Sequence, residues 1–183
     1  TWKEATEGID PSGLLGRKEN WGRVAPEGVI VITAGVDVQD DRLEAEVIGW
    51  GVSQESWSLQ FHVLHGDPAQ SKVWEDLTNV LTQTIKTTDG RTLSVAATCV
   101  DSGGHQTQRV YEYCKGREYQ RIYAIKGANQ IGKPLVSKFS KNNKLRVKLF
   151  SIGTDTAKQM IYSRLKIHQP GAGYCHFPSD YPE

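Results

Sequence analysis

Two aspartates stand at the ends of apolar runs. Asp37 closes Val29-Ile30-Val31-Ile32-Thr33-Ala34-Gly35-Val36, and Asp101 closes Leu93-Ser94-Val95-Ala96-Ala97-Thr98-Cys99-Val100. A β-branched run such as 29–33 reads as a strand buried on both faces, where an ionised carboxylate needs a cation or hydrogen-bond donors. A hard divalent ion, Mg²⁺ or Mn²⁺, meets that need through oxygen ligands alone. Carboxylates converging on two such ions, about 3.5–4 Å apart, are what two-metal phosphodiester hydrolysis requires. Asp155 is the third candidate, lying after an apolar strand in Ser151-Ile152-Gly153-Thr154-Asp155-Thr156-Ala157-Lys158, with Glu75 and Asp180 as alternatives. Lys158, one turn beyond Asp155, has the charge to hold a phosphate or to neutralise the acids. Each acid also has a local reading: Asp37 bonding its own turn, Asp101 and Asp155 capping the helices that follow.

A second group of residues is basic. Lys133, Lys138, Lys141, Lys144, Arg146 and Lys148 fall in a stretch without a single acid, a local excess that the net charge of +1 conceals. On a hairpin these cations can track a phosphate backbone; on an exposed edge they equally discourage strand pairing. The stretch Gly127-Ala128-Asn129-Gln130-Ile131-Gly132-Lys133 has phosphate-loop spacing, but Pro134 stands where a Ser or Thr must meet Mg²⁺. Proline also biases Lys133 away from the helical conformation, so nucleotide binding is rejected.

The elements that must position these groups follow from the pattern. Asp40-Asp41 and Val52-Ser53-Gln54 are turns joining three successive strands, a first from about residue 29, then 42–51 and 55–65. Val73, Leu77, Val80, Leu81 and Ile85 recur at helical spacing within 70–86, and a fourth strand, 93–100, ends on Asp101. A helix over 105–115, a strand over 121–125, a hairpin within 134–152 about Asn142-Asn143, and a last helix from Asp155 with Ala157, Ile161 and Leu165 on one face complete the reading. A meander joined through a crossover to parallel strands can set the first and fourth strands side by side, with Asp37 and Asp101 at one end.

The chain of 183 residues, 38% hydrophobic and 23% charged, has enough apolar mass for one substantial core. Residues 1–28 read as a connecting segment and 29–183 as the domain, cut at its C-terminal end from a longer polypeptide. Three widely spaced cysteines, Cys99, Cys114 and Cys175, argue against a disulfide framework or a zinc site and fit a reducing, cytoplasmic setting. Neither a signal peptide nor an apolar run of membrane-spanning length is present in these residues.

Thr33-Ala34-Gly35-Val36-Asp37-Val38-Gln39-Asp40-Asp41-Arg42-Leu43-Glu44, Gly49-Trp50-Gly51, Glu55-Ser56-Trp57, Val100-Asp101-Ser102-Gly103-Gly104, Gly153-Thr154-Asp155-Thr156-Ala157-Lys158 and Pro170-Gly171-Ala172-Gly173-Tyr174 together resemble the lambda-type large terminase subunit of tailed phages and prophages. The resemblance implies its C-terminal nuclease domain: a ribonuclease-H-like α/β fold, a mixed sheet flanked by helices, that cuts concatemeric viral DNA during packaging. It implies metal-binding acids at Asp37, Asp101 and Asp155. It also implies an N-terminal ATPase motor on the same polypeptide, with residues 1–28 as the extension leading from it. The partners it implies are double-stranded DNA, a small terminase subunit and a portal, with no membrane, in the bacterial host cytoplasm. Two other readings remain open: another ribonuclease-H-like nuclease, such as a junction resolvase or transposase-type enzyme, and a catalytically silent docking module.

Overall fold

The computed structural model describes residues 11–141 and 143–180. Nine strands share one mixed sheet in the order β1-β9-β4-β3-β2-β6-β7-β8, with β5 paired to β6. They are β1 (Lys18–Glu19), β2 (Val31–Val38), β3 (Arg42–Trp50), β4 (Ser56–His65), β5 (Thr84–Lys86), β6 (Thr92–Asp101), β7 (Ile122–Ala128), β8 (Leu149–Gly153) and β9 (Cys175–Pro178). The helices are α1 (Pro11–Leu15), α2 (Ser71–Thr82), α3 (Thr107–Cys114) and α4 (Thr154–Leu165). This is the mixed α/β sheet of the ribonuclease-H-like kind.

The meander forms as its turns dictate. Asp40-Asp41 closes it tightly, Gln39 N–H donating to the Arg42 carbonyl at 3.0 Å, and β2–β3–β4 pair antiparallel. β2, β6, β7 and β8 then pair in parallel, so their C-terminal ends share one rim. In open α/β sheets that rim is where sites form.

Burial alternates along the strands. Ile32, Ala34 and Val36 of β2, Leu43, Ala45 and Val47 of β3, and Thr98 and Val100 of β6 point inward. Against that face α2 lays Val73, Trp74, Leu77 and Leu81, and α3 lays Val110, Tyr113 and Cys114. Leu77 is wholly buried, and removing such a side chain from water contributes roughly 1.5–3 kcal/mol. The opposite face is open at its centre: Val31, Gly35, Asp37 and Cys99 are exposed there. The expectation of a first strand buried on both faces is therefore corrected, because both long core helices pack on the same side.

The last helix begins at Thr154, but it does not bury the face expected for it. None of its residues is buried, and Ile161 is 56% exposed. Together with Trp50 and Leu135, residues Ala157, Met160 and Ile161 line an apolar groove.

Residues 13–28 do not lie apart from the domain. β1 pairs with β9, Ala25 is buried and exchanges backbone hydrogen bonds with Lys86 and Thr88, and Trp21 packs on a cluster of buried side chains that includes Val29, Trp57, Leu59 and Ile85. Glu19 is fastened by His176, whose ring is buried between carboxylates. Nδ1 lies 2.6 Å from Glu19 Oε1 and Nε2 lies 2.9 Å from Glu55 Oε1, while Trp57 stacks on the ring with centroids 4.7 Å apart. His176 carried no sequence signal because its partners are distant along the chain.

Candidate active site

Register decides the relation of the two strand-end acids. Val36 of β2 is level with Val100 of β6, so the following residues, Asp37 and Asp101, stand side by side on the open face. One strand spacing, about 5 Å, separates them. Asp37 is exposed and Asp101 half-exposed. Asp37 Oδ1 accepts the Val38 N–H at 3.0 Å and its other oxygen the Gln39 side-chain amide; Asp101 Oδ1 accepts the Gly103 N–H at 2.9 Å. The local turn-bonding reading of Asp37 is thus realised, whereas the capping reading of Asp101 is not: Gln106 precedes α3, no side chain caps it, and Asp101 bonds its own loop instead.

Gly103 and Gly104 hold the loop after Asp101 tight against this pair. A Cβ on Gly103 would lie 3.2 Å from Asp101 Oδ1, and one on Gly104 would lie 3.5 Å from the Val38 carbonyl. The same loop carries His105, whose Nδ1 lies 3.1 Å from Asp40 Oδ1, both side chains in solvent.

A third acid stands in the row. Glu44 of β3 is the cross-strand partner of Asp37, on the same face, and Arg42 donates to it at 2.7 Å while also bonding Asp41 at 2.8 Å. Glu44 first, and then Asp41, hold the Arg42 guanidinium above its usual range. Sequence reasoning passed over Glu44. With Asp40-Asp41 as the turn, simple hairpin counting sets residue 37 opposite 44, so the signal was there.

Asp155 lies on the same rim but in the first turn of α4, beyond β8. β7 separates β8 from β6, so two strand spacings, roughly 10 Å, lie between the Asp101 and Asp155 positions across the sheet. It does not cap α4, for Gly153 is the N-cap residue; Lys158 follows one turn on. Of the alternatives, Glu75 lines a groove between α2 and α3 with Arg109 and Glu112, and Asp180 lines a pocket with Arg23 and His62. Neither cavity includes Asp37 or Asp101. Among the described residues no three His, Cys, Asp or Glu are grouped closely enough to hold a metal ion as they stand.

The basic segment is not the regular hairpin expected within 134–152. It returns antiparallel beside β8 through two isolated bridges, Val136 with Ile152 and Ser140 with Leu149. Asn143 replaces ladder pairing at the tip, its side chain bonding both backbone groups of Val147, and Arg146 adopts φ +55°. Asn142 lies outside the described residues. Lys133 sits near the rim, Lys138 midway, and Lys141 and Lys144 toward the far end. Lys148 is bound to Glu118 at 3.1 Å. The cations therefore form a track down the sheet edge rather than a cluster at the acids. Lys133 and Pro134 are anchored by Gly153, where a Cβ would lie 2.6 Å and 2.7 Å from their carbonyls, and by Thr156, whose hydroxyl donates to the Lys133 carbonyl at 2.6 Å.

The family described as "Terminase large subunit gpA, endonuclease domain" matches residues 1–183. The chain belongs to that family. It is 35% identical over 185 residues to the terminase large subunit of Escherichia phage lambda, covering 98% of this chain and 29% of the relative. It is 30% identical over 167 residues to the corresponding subunit of Enterobacteria phage P21, covering 91% of this chain and 26% of the relative. The chain thus spans less than a third of the length of these relatives. No solved structure matches it. Within this terminase endonuclease domain Gly127 and Ala128 end β7, and no helix starts at Lys133. Among the described residues no helix is long and apolar enough to cross a membrane.

Proposed function

We propose that this domain is a Mg²⁺- or Mn²⁺-dependent DNA endonuclease, cutting concatemeric viral DNA as the genome is packaged. The observation that carries this reading is the level placement of Asp37 and Asp101 on adjacent parallel strands at an open rim. The donor set fits the ion: hard carboxylate oxygens, accessible to solvent, with no competing soft ligand beside them except the thiol of Cys99 lower on the face. Bound there, two such ions would supply an activated water and neutralise the charge that builds on the phosphodiester. Asp37 and Asp101 would hold the ions and fix their position against the phosphate, with Asp155 as a further ligand and Lys158 facing a phosphate oxygen. Lys133, Lys138, Lys141, Lys144, Arg146 and Lys148 would carry the double-stranded DNA along the edge.

On the same reading an ATPase motor, a small terminase subunit and a portal act with the domain in the host cytoplasm. Positioning by such partners supplies much of a nuclease's rate, so the isolated domain is expected to cut slowly. The test is nicking of supercoiled plasmid with Mn²⁺. Cleavage that disappears in Asp37→Ala and in Asp101→Ala supports the reading; equal cleavage by wild type and variants, or none at any enzyme concentration, refutes it. The rival reading of a metal-silent docking module has the local hydrogen bonds of both acids in its favour, and it requires indifference to metal.

A further inference from the structure

From Tyr119 to Thr154 the chain carries Arg121, Lys126, Lys133, Lys138, Lys141, Lys144, Arg146 and Lys148 and no acid. Folding places an aromatic ladder within this acid-free stretch. Tyr123 of β7 and Phe150 of β8 meet edge to face at 5.3 Å, and Phe150 meets Phe139 edge to face at 5.7 Å. Lys148 Nζ lies over the Phe139 ring at 5.3 Å. Phe139 nevertheless remains 39% exposed, and its neighbours Leu135 and Val136 are exposed as well, with Lys138 and Lys141 flanking it in solvent.

A track that met only duplex phosphates would need cations alone, because duplex bases are stacked on one another and offer their flat faces to nothing. A fixed, part-exposed ring between solvent-exposed cations suits a ligand that is both anionic and flat-faced. We propose that the 135–141 segment is a binding site for single-stranded DNA, with a base stacked on Phe139 and the flanking phosphates on Lys138 and Lys141. The ladder from Tyr123 through Phe150 fixes the ring in advance, so little side-chain freedom is lost on binding. The site lies down the sheet edge from the acid rim. The proposal rests on the nucleic-acid reading of the basic segment and not on the metal site.

The test is fluorescence anisotropy of the 183-residue chain with labelled oligothymidylate and with a duplex of equal length, in EDTA so that nothing is cut. Phe139→Leu keeps an apolar contact for Phe150 and removes the ring; Phe139→Tyr keeps both. Expected is a loss of about tenfold in single-strand affinity for Phe139→Leu, near wild-type affinity for Phe139→Tyr, and unchanged duplex affinity for both. Circular dichroism and thermal melting of each variant establish that the fold is intact. Equal losses for single strand and duplex, no loss for either, or no single-strand binding by wild type overturns the proposal. So does polyglutamate binding with the same dependence on Phe139, which would assign the patch to an acidic protein partner. Because the measurement needs no metal, its outcome is independent of whether Asp37 and Asp101 support cleavage.

Discussion

Replacing Asp37 by Asn tests the acid pair without asking for catalysis. Two carboxylates carried on neighbouring strands, taken to be one strand spacing (~5 Å) apart, repel by roughly 0.8 kcal/mol in bulk water and roughly 3 kcal/mol at an effective dielectric constant of 20. Asp37 is exposed and Asp101 half-exposed, so the lower figure applies, and Glu44 adds little because Arg42 neutralises it. Asn keeps an oxygen for the Val38 N–H that Asp37 now binds. In EDTA and low salt the variant is therefore expected to be more stable than wild type by about 1 kcal/mol, or about 2–4 °C in Tm for a chain of this length. Saturating Mn²⁺ reverses the order. At a hundredfold excess over its Kd the ion stabilises wild type by about 2.7 kcal/mol, and the variant, lacking one ligand, gains little. The assay is differential scanning fluorimetry or calorimetry of both proteins with EDTA and with Mn²⁺. A variant less stable than wild type in EDTA, or one that responds to Mn²⁺ as wild type does, refutes the reasoning. In the first case the hydrogen bonds of Asp37 outweigh the repulsion; in the second the pair binds no ion.

Three further outcomes are expected. Replacing Lys138 and Lys141 together by Ala lowers the slope of log K against log salt for duplex binding by about 1.8, since each phosphate contact contributes about 0.9; an unchanged slope removes these residues from the track. Gly153→Ala drives a methyl group into the carbonyls of Lys133 and Pro134, destabilising the chain by about 1–3 kcal/mol in denaturant unfolding and releasing the 133–134 loop to protease. Cys114 is fully buried and its thiol is pushed up to about 12 by that burial, while desolvation by neighbouring atoms also raises the Cys99 thiol but leaves it open to solvent, so thiol reagents modify Cys99, slowly, in the native protein and reach Cys114 only on unfolding. Cys114 reacting as fast as Cys99, followed by mass spectrometry of labelled peptides, contradicts that burial.

Much was legible along the chain because it depends on neighbours in sequence. The Asp40-Asp41 turn, the helical recurrence of Val73, Leu77, Val80 and Leu81, the two strands ending in Asp37 and Asp101, and the acid-free basic stretch are all local patterns; the helix expected over 70–86 stops at Thr82, however, and Ile85, expected on its face, lies in β5 paired with Leu93 of β6. The family resemblance rests on the same local blocks. Tertiary structure alone decided what depends on register and on which face is covered. The offset that levels Val36 with Val100 sets Asp37 against Asp101, whereas a one-residue slip would have turned one acid toward the core. Packing of both long core helices on one side left the acids in solvent, contrary to the buried strand that Val29 to Thr33 suggested. Contacts between distant residues were likewise invisible in sequence: His176 with Glu19 and Glu55, and Phe139 with Phe150. Local composition states which groups are available, but only the pairing of strands brings groups far apart in the chain to one place.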